Sequence, residues 1–174
     1  MPNFNENLLI SAARIDGLIL DVDGVLTDGK ITYNNKGEES KNFHVRDGSS
    51  IKLLLKNGID IAILSGRNSQ SVERRAEELG ITKIVLGAES KLNGFQELRE
   101  KGFASQEILA IGDDLADLEL FSHPDISLSA TVEDAAEFIK SKVDFVTEKA
   151  GGNGIMFEIA ELILTSKGLW PYEN

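Results

Sequence analysis

LILDVDGVLTDG, Leu18 to Gly29, opens with an apolar run and closes it on Asp21 and Asp23, two acids one residue apart, followed at once by Gly24. A short apolar run bounded by turn residues is a buried strand. Two carboxylates at its end repel each other unless a cation sits among them. A buried strand that ends in an acidic pair and a glycine turn therefore predicts an open α/β sheet with a cation-dependent site at its rim.

Outward from this stretch, short Ile-, Val- and Leu-rich runs alternate with longer amphipathic ones, the pattern of βαβ units and a doubly wound, Rossmann-like parallel sheet. Strands are expected at residues 17–21, 60–65, 83–86, 108–112, 126–129 and 144–147. Helices are expected at residues 49–57, 69–79, 90–101, 115–121, 132–140 and 154–166. The second of these helices carries the clearest signals, with Ser69 as cap and Glu73 and Glu77 set against Arg74 and Arg75. KITYNNKGEESKNFHV, Lys30 to Val45, breaks the alternation. Ile31 and Tyr33 stand at period two, as do Phe43 and Val45, around an Asn-Asn-Lys-Gly turn. This predicts a β-hairpin inserted at about residues 29–46. With no repeat or linker, the chain reads as a single domain over residues 1–174, ending in a flexible tail at about 168–174 that includes the frayed WPYEN.

The 174 residues, 41% hydrophobic, suffice for one core that buries roughly 70% of the unfolded surface. Cysteine is absent, which rules out disulfides and thiolate metal sites and suits a reducing cytoplasm. The beginning MPNFNENLLISAARID has acids and asparagines where a signal peptide has a basic then an apolar region. No apolar run is long enough to span a membrane. The net charge of −11, 29 acids against 18 bases, disfavours nucleic acid and anionic membranes as partners. A small anionic substrate would need local cations to overcome that field.

In an open parallel sheet, ligands bind beyond the carboxyl ends of the strands. The first strand ends in Asp21-Val22-Asp23-Gly24, the second in Ser65-Gly66-Arg67 and the fourth in Gly112-Asp113-Asp114, while Lys91 opens the helix after the third. Each piece alone is an ordinary turn or cap; together, in order, they predict one site. Crowded oxygen ligands select a hard cation such as Mg2+, with Asp21 and Asp113 as ligands. Ser65 and Lys91 suit a phosphoryl group. Asp21 then becomes a nucleophile able to form an aspartyl-phosphate, and Asp23 can protonate the leaving alcohol and afterwards activate water.

The motifs DVDGVLTDG, SGR, the lysine of ESKL, and GDDLAD resemble, in order and over residues 15–165, those of the haloacid dehalogenase superfamily of aspartate-nucleophile phosphotransferases. FHVRDGSSIK, LSGR, ERRAEELGI, IGDD and AGGNG are similar, more narrowly, to its 3-deoxy-D-manno-octulosonate 8-phosphate phosphatases. The resemblance implies hydrolysis of a phosphorylated eight-carbon keto acid to supply sugar for lipopolysaccharide. It implies Asp21 as nucleophile and metal ligand, Asp23 as acid/base and a ligand through its carbonyl, Asp113 as the other ligand, and Ser65 and Lys91 on the phosphoryl group. For substrate contact it implies His44, Val45, Arg46, Asp47 and Gly48, with Lys52, Arg67 and Arg75; Arg46 is the expected contact to the sugar acid. The tail departs from the family pattern, with Asn153 and Phe157 where basic residues are expected. The resemblance also implies a homotetramer in which neighbours close a site that no cap domain covers, and pairing of hairpins would bury Tyr33, Phe43 and Val45.

Several residues keep two readings. His44 touches substrate or lies on the hairpin surface, and His123, before Pro124, is a loop residue. Asp114 and Asp117 support the metal or cap the following helix. Gly151 to Gly154 form an anion-binding helix start or a flexible turn. Two other functions stay open, a phosphatase for a nine-carbon keto acid phosphate or broader sugar phosphates, and a phospho-acceptor or oligomerisation module that does not hydrolyse.

Overall fold

The protein, a computed structural model, is described over residues 4–172. In chain order its elements are α1 (Glu6–Ala12), β1 (Gly17–Leu20), β2 (Thr32–Tyr33), β3 (Glu39–Ser40), α2 (Val45–Lys56), β4 (Asp60–Leu64), α3 (Gln70–Leu79), β5 (Lys83–Val85), α4 (Lys91–Glu100), β6 (Ile108–Ile111), α5 (Asp117–Phe121), β7 (Ile126–Thr131), α6 (Glu137–Lys140), β8 (Phe145–Val146) and α7 (Met156–Ser166).

All four residues of β1 are buried because the strand is central, paired in parallel with β4 on one side and β6 on the other. The six-stranded sheet runs β5-β4-β1-β6-β7-β8, every pairing parallel. Alternate residues serve opposite faces. Leu18 and Leu20 join the core under α1, α2, α3 and α7, while Ile19 joins that under α4, with Phe95, Leu98 and Phe103. Strand order reverses between β1 and β6, which is where such sheets open a crevice for ligands.

The turn after β1 is closed by its own backbone, with the N–H groups of Val25, Leu26 and Thr27 all donating to the Val22 carbonyl. Gly24 has φ of +87°, and a Cβ there would stand 2.0 Å from Asp113 Oδ2. Only glycine lets the turn pass this close to the end of β6. Gly151 makes the matching approach from the far side, since a Cβ on it would lie 1.8 Å from the Gly24 carbonyl oxygen. Gly152 N–H donates to the Val25 carbonyl. The AGGNG segment is thus a backbone brace for the turn after β1, and α7 begins only at Met156, past the expected helix start at Gly154.

Some boundaries differ from the sequence expectation. The N-terminal helix α1 was not anticipated; Asn5 Oδ1 caps it by accepting the Leu8 N–H at 2.8 Å. The hairpin has the expected Asn34–Gly37 turn but only two paired positions, Thr32 with Ser40 and Tyr33 with Glu39. Helix α2 begins at Val45, four residues before the expected start, because His44 Nδ1 accepts the Arg46 N–H at 3.1 Å and caps it. Val45 is therefore helical, and Gly48 in the first turn had masked the helix. Ser69 occupies the cap of α3 without a side-chain cap bond, and Arg74 and Arg75 pair with Glu78 instead of Glu73 or Glu77. Helix α6 spans only its last turn, since Ala136 has extended ψ. At the end of the chain, expected to fray, Trp170 packs edge-on to Phe157, ring centres 5.4 Å apart. Glu173 and Asn174 lie outside the described residues.

Candidate active site

Beyond the ends of β1, β4 and β6 lies an open cleft of about 290 Å3 whose lining includes Asp21, Asp23, Ser65, Arg67, Lys91 and Asp113. Larger hollows exist, one of 650 Å3 lined by residues of α4 and by Lys101 at its end. Chemistry, not size, distinguishes the cleft. Asp21 extends β1 by donating its N–H to the Ile111 carbonyl, which aims its side chain over the rim.

Lys91, at the start of α4, is the hub. Its buried ammonium meets Asp21 Oδ1 at 2.8 Å and Asp117 Oδ1 at 2.7 Å, and donates to the Leu64 carbonyl at 3.1 Å. All three of its donors are used. Burial opposes its charge, but Asp21 and Asp117 outweigh that and hold its pKa above the ordinary lysine value. Glu119 of α5 fixes the base of the helix by accepting the Lys91 N–H at 2.5 Å.

Oxygens of Asp21, Asp113 and Asp117 approach within 4.8 Å of one another. Burial, against the pull of Lys91, pushes the Asp21 carboxyl up to about 6. Burial and the charges of Asp21, Asp117 and Asp114 push Asp113 up to about 7. One ammonium does not neutralise three acids, so the donor set fits a divalent oxygen-seeking cation. Asp117 is 2% exposed and fully engaged, since its Oδ2 accepts the N–H groups of Asp113 and Asp114 at 3.0 and 3.1 Å. It orients the turn that carries Asp113, leaving Asp21 and Asp113 as the carboxylates free for a metal.

The hairpin folds over the other side of the cleft. Lys41 Nζ donates to Asp23 Oδ1 and lies 3.0 Å from Glu39, while Glu39 pairs with Arg67. Arg67 Nε stands 3.8 Å from Asp23 Oδ2. Lys41 and Glu39 were not singled out from the sequence. The signal was available, because Lys41 shares the period-two face of half-buried Phe43.

The remaining candidates are not brought to this cleft by their own chain. Val45, Arg46 and Lys52 are exposed on α2. Arg75 packs against Gly48, lies 5.9 Å from the centre of the Phe43 ring and reaches the His44 carbonyl at 3.5 Å. His44 caps α2. Asp47 is buried between helices, where Oδ1 accepts the Met156 N–H at 2.8 Å; burial raises its pKa. Phe157 turns towards Trp170, and Asn153 donates to the Gly151 carbonyl. His123 Nδ1 accepts the Asp125 N–H in its loop.

Residues 87–159 match the model of a haloacid dehalogenase-like hydrolase family. The chain is 41% identical over 165 residues to the 3-deoxy-D-manno-octulosonate 8-phosphate phosphatase KdsC of Escherichia coli strain K12, covering 94% of this chain and 87% of that one. It also resembles the crystal structure of that phosphatase from Moraxella catarrhalis in complex with magnesium, phosphate and KDO, with a TM-score of 0.87, 37% identity and coverage of 95% and 94%. The cobalt-bound phosphatase from Haemophilus influenzae gives a TM-score of 0.86 at 38% identity, with coverage of 94% and 96%.

Proposed function

The chain belongs to the haloacid dehalogenase-like hydrolases, as a close relative of the 3-deoxy-D-manno-octulosonate 8-phosphate phosphatases, and from that premise we propose the reaction and the residues that carry it. It is a Mg2+-dependent phosphomonoesterase that hydrolyses 3-deoxy-D-manno-octulosonate 8-phosphate to the free sugar acid and phosphate, in lipopolysaccharide precursor synthesis. The observation that carries this is the convergence of Asp21, Asp113 and Lys91 at the β1/β6 crevice of a fold shared with a relative that holds magnesium, phosphate and KDO. A non-hydrolysing module is set aside by 41% identity to phosphatases.

Asp21 attacks phosphorus, the phosphorus–oxygen bond to the sugar breaks, and Asp23 delivers its proton to the departing alkoxide. Asp23 then takes a proton from water as that water attacks the aspartyl-phosphate, releasing phosphate and restoring Asp21. General acid and base help of this kind is worth about 10²- to 10⁴-fold. Lys91 holds the Asp21 carboxylate in place, and Ser65, whose Oγ accepts the Arg67 N–H at 3.2 Å, presents its hydroxyl to the phosphoryl oxygens. Magnesium, held by the Asp21 and Asp113 carboxylates and the Asp23 carbonyl, would supply the positive charge that lets an anionic ester approach these acids.

The enzyme is one phosphatase domain over residues 1–174 and works as a cytoplasmic homotetramer, in which a neighbour brings the sugar-reading residues. Support comes from Tyr33 and Val45, 60% and 79% exposed, and from Arg46 and Lys52, which stand outside their own chain's cleft. Arg46 reads the sugar acid, with Val45, Lys52 and Arg67 as further contacts, while His44, Asp47, Gly48 and Arg75 hold the start of α2 in place. No helix among the described residues is long and apolar enough to cross a membrane. Asn153 and Phe157, in place of basic residues, bear on the identity of the sugar, and the second reading is a nine-carbon keto acid phosphate or a broader range of sugar phosphates. Phosphate release with Mg2+ across eight-carbon and nine-carbon keto acid phosphates and hexose phosphates tests the assignment: selective turnover of the eight-carbon ester is expected, and equal turnover of all would contradict it.

A further inference from the structure

We propose that Lys41 is a positioning residue for the chemical step, the hairpin side chain that turns Asp23 so that one carboxylate oxygen faces the leaving group. The proposal rests on Asp23 being the acid of the reaction.

Lys41 lies just past β3 on a hairpin whose other side chains are largely exposed, yet its own side chain is 1% exposed. A buried ammonium is tolerated only when paired, and Glu39, 3.0 Å away, would suffice as an anchor. Lys41 nevertheless reaches back 18 residues to donate to Asp23 Oδ1. The consequence is asymmetric. Oδ1 is held by the ammonium, while Oδ2 is buried with no hydrogen-bond partner among the described residues, the nearest cation being Arg67 Nε at 3.8 Å. Arg67 Nε, in the same cluster, is also buried without a hydrogen-bond partner among the described residues, while Glu39 Oε1 has Lys41 Nζ 3.0 Å away. Buried polar atoms normally find partners, and two without them at the edge of one cleft leave Asp23 Oδ2 open to a ligand.

A carboxylic acid acts through one oxygen, so fixing which oxygen faces the cleft is a contribution to rate distinct from binding. Lys41 is ion-paired to Asp23 and Glu39 and not to Asp21 or Asp113 among the described residues, and it is not among the residues lining the cleft, so it acts through Asp23. The leaving alcohol of a sugar phosphate needs a proton; that of a nitrophenyl phosphate does not.

The test is kcat/KM of the magnesium-loaded enzyme for monophosphates of increasing leaving-alcohol pKa, from p-nitrophenyl phosphate through phenyl phosphate to alkyl esters. kcat/KM reports the first chemical step. For Lys41→Met we expect a loss of about 10- to 100-fold on alkyl esters that shrinks steadily towards p-nitrophenyl phosphate, giving a steeper dependence on the leaving group, with Lys41→Arg restoring most of the alkyl activity. An equal loss across the series, or no loss, would overturn the proposal, since a residue that only holds the hairpin would not change the slope. If Lys41→Met does not fold, Lys41→Gln is read by the same criterion. Asp23→Asn separates the proposal from its premise. A slope unchanged in Asp23→Asn removes Asp23 as the acid, whereas a slope steepened there but not in the Lys41 variants removes only the role of Lys41.

Discussion

At the ends of β1, β4 and β6 the charged groups meet partners from the same chain, whereas on β2 and the first turns of α2, either side of the inward-turned Lys41, the chain turns apolar and basic side chains outward. Lys91 ties Asp21 to Asp117, and Asp117 ties down the turn of Asp113. Among the described residues, the side chains of Val45, Arg46 and Lys52 have no comparable engagement. The difference separates two tasks. Phosphoryl chemistry is the same for every substrate and sits on the sheet rim; on the function proposed above, recognition of the sugar falls to the outward-facing segment.

Substitutions can break this division in order of expected size. Asp21→Asn should abolish Mg2+-dependent phosphate release, at least ~10³-fold or ~4 kcal/mol of barrier, with its circular dichroism unchanged, since Lys91 keeps Asp117. Normal turnover would remove the rim from the chemistry. Asp23→Asn should slow turnover by about 10²- to 10⁴-fold without weakening Mg2+ binding by calorimetry, because its carboxylate faces Lys41 and not the Asp21–Asp113 pair. Val45→Glu targets the other region. It sits in the first turn of α2, where an acid suits the helix end, so the monomer should fold while the assembly loosens. Sedimentation should report smaller species and specific activity should fall several-fold on dilution; a fully active monomer would merge the two tasks into one chain.

The smallest effect is on stability. Asp21 and Asp113 have folded pKa values of about 6 and about 7, above their ordinary 3.8. The metal-free folded protein therefore holds protons that the unfolded chain releases. That stability is fully present below about pH 4 and is lost as pH rises through 6 and 7. Magnesium needs the ionised forms, so the rise in Tm that it causes should be larger at pH 8 than at pH 5.5. An equal rise at both would place the metal elsewhere.

The rim was legible in sequence because each of its residues sits at a strand end, and strand ends are set by apolar period and turn residues. Asp21, Ser65, Lys91 and Asp113 were found that way. The double duty of Asp117 was left open, since spacing does not show where both oxygens go. The start of α2 was misplaced because His44 caps the helix through a ring nitrogen and Gly48 interrupts its first turn, signals that mimic a strand running into a loop. Lys41 was passed over for a related reason. A lysine on a polar hairpin reads as solvated until the chain folds it onto Asp23, 18 positions earlier.

The central claim is that Asp21 carries the phosphoryl group. Asp23→Asn, mixed with Mg2+ and 3-deoxy-D-manno-octulosonate 8-phosphate and quenched in acid, tests it by peptide mass spectrometry. The account predicts one phosphoryl increment, confined to the peptide containing Asp21 and lost on treatment with hydroxylamine. Phosphate released by the unmodified protein with the increment on another residue would contradict it.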